Sequence, residues 1–403
     1  MSRTTPSVST PSARTQSRTA TTRTVTEINR TAILGALLTR GPLSRSQLKS
    51  ETGLSPATIE RLCAALLSER LIALDGLERS SGGRPSTLFR FAGDGRIVAA
   101  IEVTAGFVRG MLIDLDGLVV HDERVTFGAP GAPPSPDDRL TGTLALIDSF
   151  TQRATDLAKP LLGIGIAVPG VAHRDTGRVS TSVELGWQDI ALQSIVETRF
   201  GIPTHVENDA NAIAVGEWSH GAGRNTQSLA AYVLGVGVGA GIVTEGQLLH
   251  GFRSGAGEIG YFLTDRSSLA RFFAEQGDLE SRMESIGSAF PVDAAARTRS
   301  PAGDLIAAAA AGDERARALA GELFDYIALS CGALSTVLDP EVIILAGHLS
   351  AHSDYVIGEV AGRLVGRIPF PPRFVAGTLG DDAALVGVGE IITRQVRGFT
   401  FLV

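Results

Sequence analysis

Two helix-start signals stand close together near the beginning of the chain with a glycine between them. That spacing narrows the fold more than any other feature of the sequence. Ser44-Arg45-Ser46-Gln47 has the capping-box pattern, in which the serine hydroxyl and the glutamine side chain satisfy free backbone amides at a helix start. Ser55-Pro56 is a second start, with serine as N-cap and proline at the first helical position. Gly53 closes the short helix between them. Upstream, Val25, Ile28, Ala32, Ile33, Ala36 and Leu37 make a helical stripe that Gly41-Pro42 ends, so a helix is predicted over Thr24 to Leu38. Downstream, Ile59, Leu62, Cys63 and Leu66 form the inward face of the second capped helix. Helix, tight turn, helix is the helix-turn-helix spacing. Leu71 to Leu74 and Ser86 to Phe91 then read as two strands around Ser81-Gly82-Gly83-Arg84-Pro85, a wing.

Charge divides the same way. Up to Ala92 the chain has thirteen basic against six acidic residues, and beyond it 23 against 37, so a basic head sits on an acidic body. Basic side chains gain affinity for nucleic acid by displacing condensed counterions, and the expected partner of the head is double-stranded DNA. Ser55 opens the recognition helix. Its outward face presents Ala57, Thr58 and Arg61, short or forked side chains able to reach base edges, and Glu60, able to accept from a cytosine amino group. Arg84, held between glycine and proline, is suited to a minor groove. Residues 1–23 carry four arginines and no acid; organellar transit peptides share that composition, but the DNA-binding pattern that follows favours a solvated basic tail.

Other function classes fall away on composition. Cys63 and Cys331 cannot build a disulfide framework or a thiolate metal cage, which fits a reducing, cytoplasmic setting. The longest apolar stretch, Leu229 to Val243, is interrupted by Gly235, Gly237, Gly239 and Gly241 and falls short of the roughly twenty residues a bilayer needs.

From residue 95 to 403 the pattern alternates between strand and helix. A meander is predicted over Ile97–Val103, Phe107–Asp114 and Leu118–Val125, followed by a helix over 138–158 and a strand over Leu162–Val168. Helical spacing over Ile190–Phe200 precedes Thr204-His205-Val206-Glu207, and Asn208-Asp209-Ala210-Asn211 opens another helix. Strands over 229–235, 238–243 and 342–346, helices near 303–337 and a last helix from Ala383 complete the pattern, for which two similar α/β lobes are the natural architecture.

Four motifs behind the winged helix carry a resemblance. They are Glu207-Asn208-Asp209-Ala210-Asn211, the run Leu234 to Ile242 with its alternating glycines, Gly255-Ala256-Gly257-Glu258-Ile259-Gly260, and Leu338-Asp339-Pro340-Glu341-Val342-Ile343-Ile344. In this order, over residues 24–395, the chain resembles the ROK family (repressor, open reading frame, kinase). The resemblance implies an actin-like ATPase fold with a sugar site between two lobes, in a family divided between sugar kinases and sugar-responsive transcription factors. Asp209 matches the family's general base and Asn208 a hydroxyl-binding amide; Glu258 and Glu280 match further sugar contacts, and Tyr261 stands beside them. Asn208 and Asp209 can equally be read as caps of the helix they open.

The departures from the family pattern separate its two branches. Phosphate loops need glycines that let backbone amides approach oxygen. Where family kinases carry Asp-x-Gly-Gly-Thr, this chain has Glu102-Val103-Thr104-Ala105-Gly106. Val236 and Ala240 replace a usual threonine and glycine of the second loop, and Ala346-Gly347-His348 replaces a glycine run near the adenosine. Family members also commonly hold zinc through one histidine and three cysteines, and here the matching positions are Tyr261, Arg271, Phe273 and Asp278. Zinc needs four suitable donors, so no metal and no cofactor are expected, and the 267–278 segment is expected to be held by apolar contacts from Leu269, Phe272 and Phe273. His173, His205, His250 and His348 lack metal-ligand spacing and are assigned surface or loop roles.

These features predict a homodimeric or higher-order transcription regulator, a repressor of carbohydrate metabolism, that senses a sugar or sugar phosphate and has lost ATP binding. The alternatives are a sugar kinase with a DNA-binding head and a regulator signalled by a protein partner.

Overall fold

The computed structural model describes residues 22–78, 86–128, 133–270, 272, 276–292 and 300–402. The chain divides into two compact units, one ending at Phe91 and including the last residues from Gly398, the other Ala92–Arg397.

The first unit is built as its caps dictate. Helix α1 (Thr22–Arg40) ends at Gly41, whose φ of 82° is a left-handed geometry that suits glycine. A two-residue strand β1 (Leu43–Ser44) leads into α2 (Arg45–Thr52), where Ser44 and Gln47 form the reciprocal capping box and Gly53 closes the helix in the left-handed region. Helix α3 (Pro56–Ser68) is capped by Ser55, which accepts from the Thr58 amide. Strands β2 (Ile72–Leu77) and β3 (Thr87–Phe91) complete a three-stranded sheet of order β1-β3-β2. Ile59, Leu62, Cys63 and Leu66 are buried, as the stripe requires, along with Ile33, Leu34, Leu48 and Phe89. The 1–21 tail and the wing tip with Arg84 lie outside the described residues.

The second unit repeats one topology twice. Strands β4 (Ile97–Val103), β5 (Phe107–Asp114) and β6 (Val119–Thr126) form the expected meander, followed by α4 (Pro136–Asp156) and β7 (Leu161–Val168). A small sheet of β8 (Val171–Ala172), β9 (Val179–Ser182) and β10 (Trp187–Ile190) intervenes before α5 (Leu192–Phe200) and β11 (Thr204–Asn208). The helix predicted from Ile190 thus starts two residues later, because Ile190 pairs with Val179 in that sheet. Helix α6 (Asp209–Ser219) crosses to the second half, which comprises β12 (Leu229–Leu234), β13 (Val238–Thr244), β14 (Gln247–Leu248), α7 (Asp278–Ser288), α8 (Pro301–Ala310), α9 (Glu314–Leu338), β15 (Val342–Gly347), α10 (Ser353–Leu364), β16 (Arg373–Ala376) and α11 (Ala383–Leu402). The sheets run β11-β7-β4-β5-β6 and β14-β13-β12-β15-β16. In each, an antiparallel meander joins two parallel strands, β7 and β11 in the first and β15 and β16 in the second.

Helix α6 lies between the two sheets, with α11 beside it against the first. Ala212 of α6 and Leu385 and Val388 of α11 pack with Ala100, Met111 and Ala167 of the first sheet, while Ala214 packs with Leu229, Ala231 and Ile344 of the second. The two helices touch backbone to backbone. A Cβ on Gly387 would lie 1.7 Å from the Ala212 carbonyl oxygen, and one on Gly216 would lie 2.4 Å from that of Ala383. Strand β12 is buried on both faces, Ala230 and Tyr232 toward α9 and Leu229 and Ala231 toward α6, which explains its unbroken apolar run.

Candidate functional site: an acidic cavity between the two lobes

A cavity of about 500 Å³ opens where β11 passes into α6 and where the turn after β12 meets α7. The alternating glycines that border it are demanded by packing as well as by the opening. Gly241 lets β13 approach α6, since a Cβ there would stand 2.2 Å from the Ala210 carbonyl oxygen, and Gly237 faces the Glu280 carboxylate at 2.7 Å from the same imagined atom.

The predicted sugar residues converge on this cavity. Asn208, Asp209, Glu258, Tyr261 and Glu280 all line it. Asn208 plays both parts open to it. Its side chain caps α6 by accepting from the Asn211 amide at 3.0 Å, donates to the Gly170 carbonyl at 3.0 Å, and still borders the opening. Asp209 accepts only from the neighbouring Ala210 amide, at 2.8 Å, among the bonds of the described residues. Burial, with Glu184, Glu102 and Glu258 nearby, pushes its carboxyl up to about 8. Burial and the carboxylates of Glu284 and Glu258 push Glu280 up to about 7, and burial also raises Glu258. Glu102, behind the cavity on β4, is pushed up to about 7 by burial and by Asp381 and Glu184, against the pull of Arg109.

Glu184 and Glu284 also line the cavity, and the sequence reading missed both. The Glu184 role rests on a partner 79 residues away: its carboxylate accepts from the Ala105 amide at 3.1 Å. No local spacing announces such a bond. In the same turn the Thr104 hydroxyl accepts from the Gly106 and Phe107 amides at 3.4 and 3.2 Å. The buried Arg139 then braces both ends, donating to the carbonyls of Ala105 and Leu185 at 2.9 Å each. The Ala105, Gly106 and Phe107 amides of this turn are therefore turned to the chain's own oxygens. The His348 ring lies close to α8, where a Cβ on Gly303 would meet it at 2.7 Å.

Two expectations are corrected. His205 and His250 do not have plain surface or loop roles. Both are largely enclosed around buried Glu207, at 3.4 and 2.8 Å. Burial would raise the Glu207 carboxyl, but these two histidines and Asn211 hold it well below the usual range, and the cluster ties the loop after β14 to the start of α6. The 267–278 segment, in turn, is not held by Leu269 or Phe272. Leu269 is 74% exposed and Phe272 98% exposed, while Arg271 and Phe273 lie outside the described residues. The Asp278 carboxylate gathers the segment instead, through Thr264, Ser268 and Arg282. The residues present do not fit zinc: Tyr261 faces the cavity, and Asp278 is spent on hydroxyl and guanidinium donors. No group of three or more potential ligands is arranged for a metal ion among the described residues.

In the first unit, Ala57, Glu60 and Arg61 are exposed along one stripe of α3. Thr58 is half-buried and shares a 2.9 Å hydroxyl contact with Ser55, so both are committed first to capping the helix.

The profile of the ROK family matches residues 98–395. The chain belongs to the ROK family. Among ROK relatives, the xylose repressor of Bacillus subtilis is 30% identical over 239 residues, 59% of this chain and 61% of the relative. That of Caldicellulosiruptor bescii is 29% identical over 58% of each chain, and a glucokinase of Halalkalibacterium halodurans is 30% identical over 58% of this chain and 77% of its own length. The matched stretch spans about six-tenths of the length of these repressors. The fold is that of a solved ROK family transcriptional regulator, a homolog of the E. coli MLC protein, with a TM-score of 0.75 at 22% identity over 94% of this chain and 98% of that one. It is also that of a ROK glucokinase from Streptomyces griseus, with a TM-score of 0.60 at 23% identity over 74% of this chain and 99% of that one. No helix among the described residues is long and apolar enough to cross a membrane.

Proposed function

We propose that this ROK protein is a DNA-binding transcriptional regulator, a repressor of carbohydrate genes, whose second unit senses a sugar and does not phosphorylate it. The observation that carries this reading is the contrast within one cavity. The β4–β5 turn has its amides held by Glu184 and Thr104, whereas Asp209, Glu258 and Glu280 face open space. A carboxyl that hydrogen-bonds a hydroxyl at rest recognises a sugar without any need to activate it. The xylose repressors among the relatives support the regulatory branch. Ser55, Ala57, Thr58, Glu60, Arg61 and Arg84 are the proposed DNA contacts, and a two-fold dimer on an inverted repeat is the proposed assembly.

The charge of the cavity narrows the effector. Five carboxyl groups line it and no basic side chain does, among the described residues. A phosphate ester would bring its negative charge against these acidic side chains, so the proposed effector is an uncharged sugar in preference to a sugar phosphate. The deciding experiment is a gel shift with DNA from upstream of the chain's own gene, with D-xylose, D-glucose and their phosphates, beside a coupled ADP-release assay. The reading requires a free sugar to change DNA affinity, the phosphates to leave it unchanged, and no ADP to appear. ADP release that Asp209→Asn abolishes would restore the kinase reading.

A further inference from the structure

Tyr261 and Glu280 reach the cavity from opposite ends of a segment that folds back on itself, and one carboxylate stands at its neck. Asp278 accepts through Oδ2 from the Thr264 amide at 3.0 Å, the Thr264 hydroxyl at 2.6 Å, the Ser268 hydroxyl at 2.7 Å and Arg282 Nε at 3.3 Å. Its side chain is 6% exposed. Arg282 extends the network from the next turn of α7, pairing with Asp265 at 2.6 Å and donating to the Tyr326 hydroxyl of α9 at 3.3 Å. Asp265 in turn accepts from the amides of Ser267 and Ser268. Beside this neck, Gly277 lies against the turn that carries Tyr261, where a Cβ would stand 2.1 Å from the Gly260 carbonyl oxygen.

We propose that Asp278 is the positioning residue of this wall of the cavity: it fastens residues 264–268 to the first turn of α7 and so holds Glu280 and Tyr261 toward the ligand without a metal ion.

A structural zinc ion serves a loop by joining chain positions that have no other reason to meet. A carboxylate with donors from Thr264 and Ser268 joins those positions to α7 in the same manner, while Arg282, one turn along the same helix, adds a charged donor. Charge-assisted hydrogen bonds are roughly twice as strong as neutral ones, and the first turn of a helix favours a negative charge. Burial would raise the Asp278 carboxyl, yet the Ser268 and Thr264 bonds and Arg282 hold it far below the usual range, so it stays ionised throughout the working pH range. The exposed Leu269 and Phe272 contribute nothing to this fastening.

The inference rests on the sensor reading only for its last step, from fastening to ligand. The full-length protein is tested by metal analysis, by melting with and without EDTA, and by amide hydrogen exchange in Asp278→Asn, with Thr264→Val and Ser268→Ala as milder variants should the first not fold. Wild type is expected to carry far less than one zinc per chain and to melt at the same temperature in EDTA. In the variants, amides of residues 259–268 should exchange at least about tenfold faster while those of α3 are unchanged. For whichever of D-xylose and D-glucose binds wild type, affinity should fall about tenfold with little change in melting temperature. Stoichiometric zinc with an EDTA-sensitive melt overturns the proposal. So does unchanged exchange, or faster exchange with sugar affinity intact. If neither sugar binds wild type, the sensor reading is what fails, and the exchange result still decides the fastening.

Discussion

The outward stripe of α3 and the wall of the inter-lobe cavity are both polar surfaces, yet they are made in opposite ways. The stripe comes from a single capped helix whose Ala57, Glu60 and Arg61 side chains stay in water. The cavity draws carboxyl groups from the turn after β9, the start of α6, the turn before Ile259 and α7, and burial, with the neighbouring carboxylates, raises Asp209 to about 8 and Glu280 to about 7. A recognition surface for a polyanion costs the fold nothing. A recognition cavity for a neutral polyol costs stability, because carboxyl groups must be gathered out of water before the ligand arrives.

The largest expected effect breaks the cavity side of this contrast. Asp209→Asn should abolish any sugar-dependent change in DNA affinity while leaving affinity without sugar unaltered in the gel shift. The same variant should reveal the cost of the site. Asp209, Glu102 and Glu280 titrate higher in the folded chain than the roughly pH 4 of unfolded carboxyls, so the folded state holds more protons and loses stability as pH rises from about 4 to about 8. Asp209→Asn removes its share of that loss and should raise the melting temperature at pH 8 by about 2–4 °C, with no gain at pH 4. Next in size, Arg61→Ala should weaken operator binding about tenfold and leave sugar affinity unchanged, as measured by gel shift and calorimetry. The smallest effect sharpens the correction at the 264–278 neck. Leu269→Ser and Phe272→Ser should each shift the melting temperature by no more than about 1 °C, because neither side chain is buried.

What the sequence disclosed follows the reach of each interaction. The caps at Ser44 and Ser55 are settled within three residues, and they stand where the spacing puts them. The lobe pattern was legible because each β-meander and each helix carries its own periodicity. Asn208, Asp209, Glu258, Tyr261 and Glu280 were found through motifs, and all five meet at one opening. Glu184 was not, because its meaning depends on an amide in another strand pair, brought near only when the sheet closes. The supposed apolar clamp failed for a related reason. Leu269 and Phe272 have the right chemistry for burial, but nothing in a linear reading says whether a surface waits for them, whereas Asp278 finds four donors within the same short segment.

Strand β11 ends at Asn208 and α6 begins at Asp209, with no residue between them to absorb a displacement. Whatever takes hold of Asp209 therefore pulls on a stiff bar, an eleven-residue helix about 16 Å long. Near its far end the bar bears on α11 through Gly216 and Gly387, where bare backbone leaves no side chain to cushion the contact. That crossing is a fulcrum. On the proposed sensor reading, a pull on Asp209 by a bound monosaccharide would be carried along α6 to this crossing with α11.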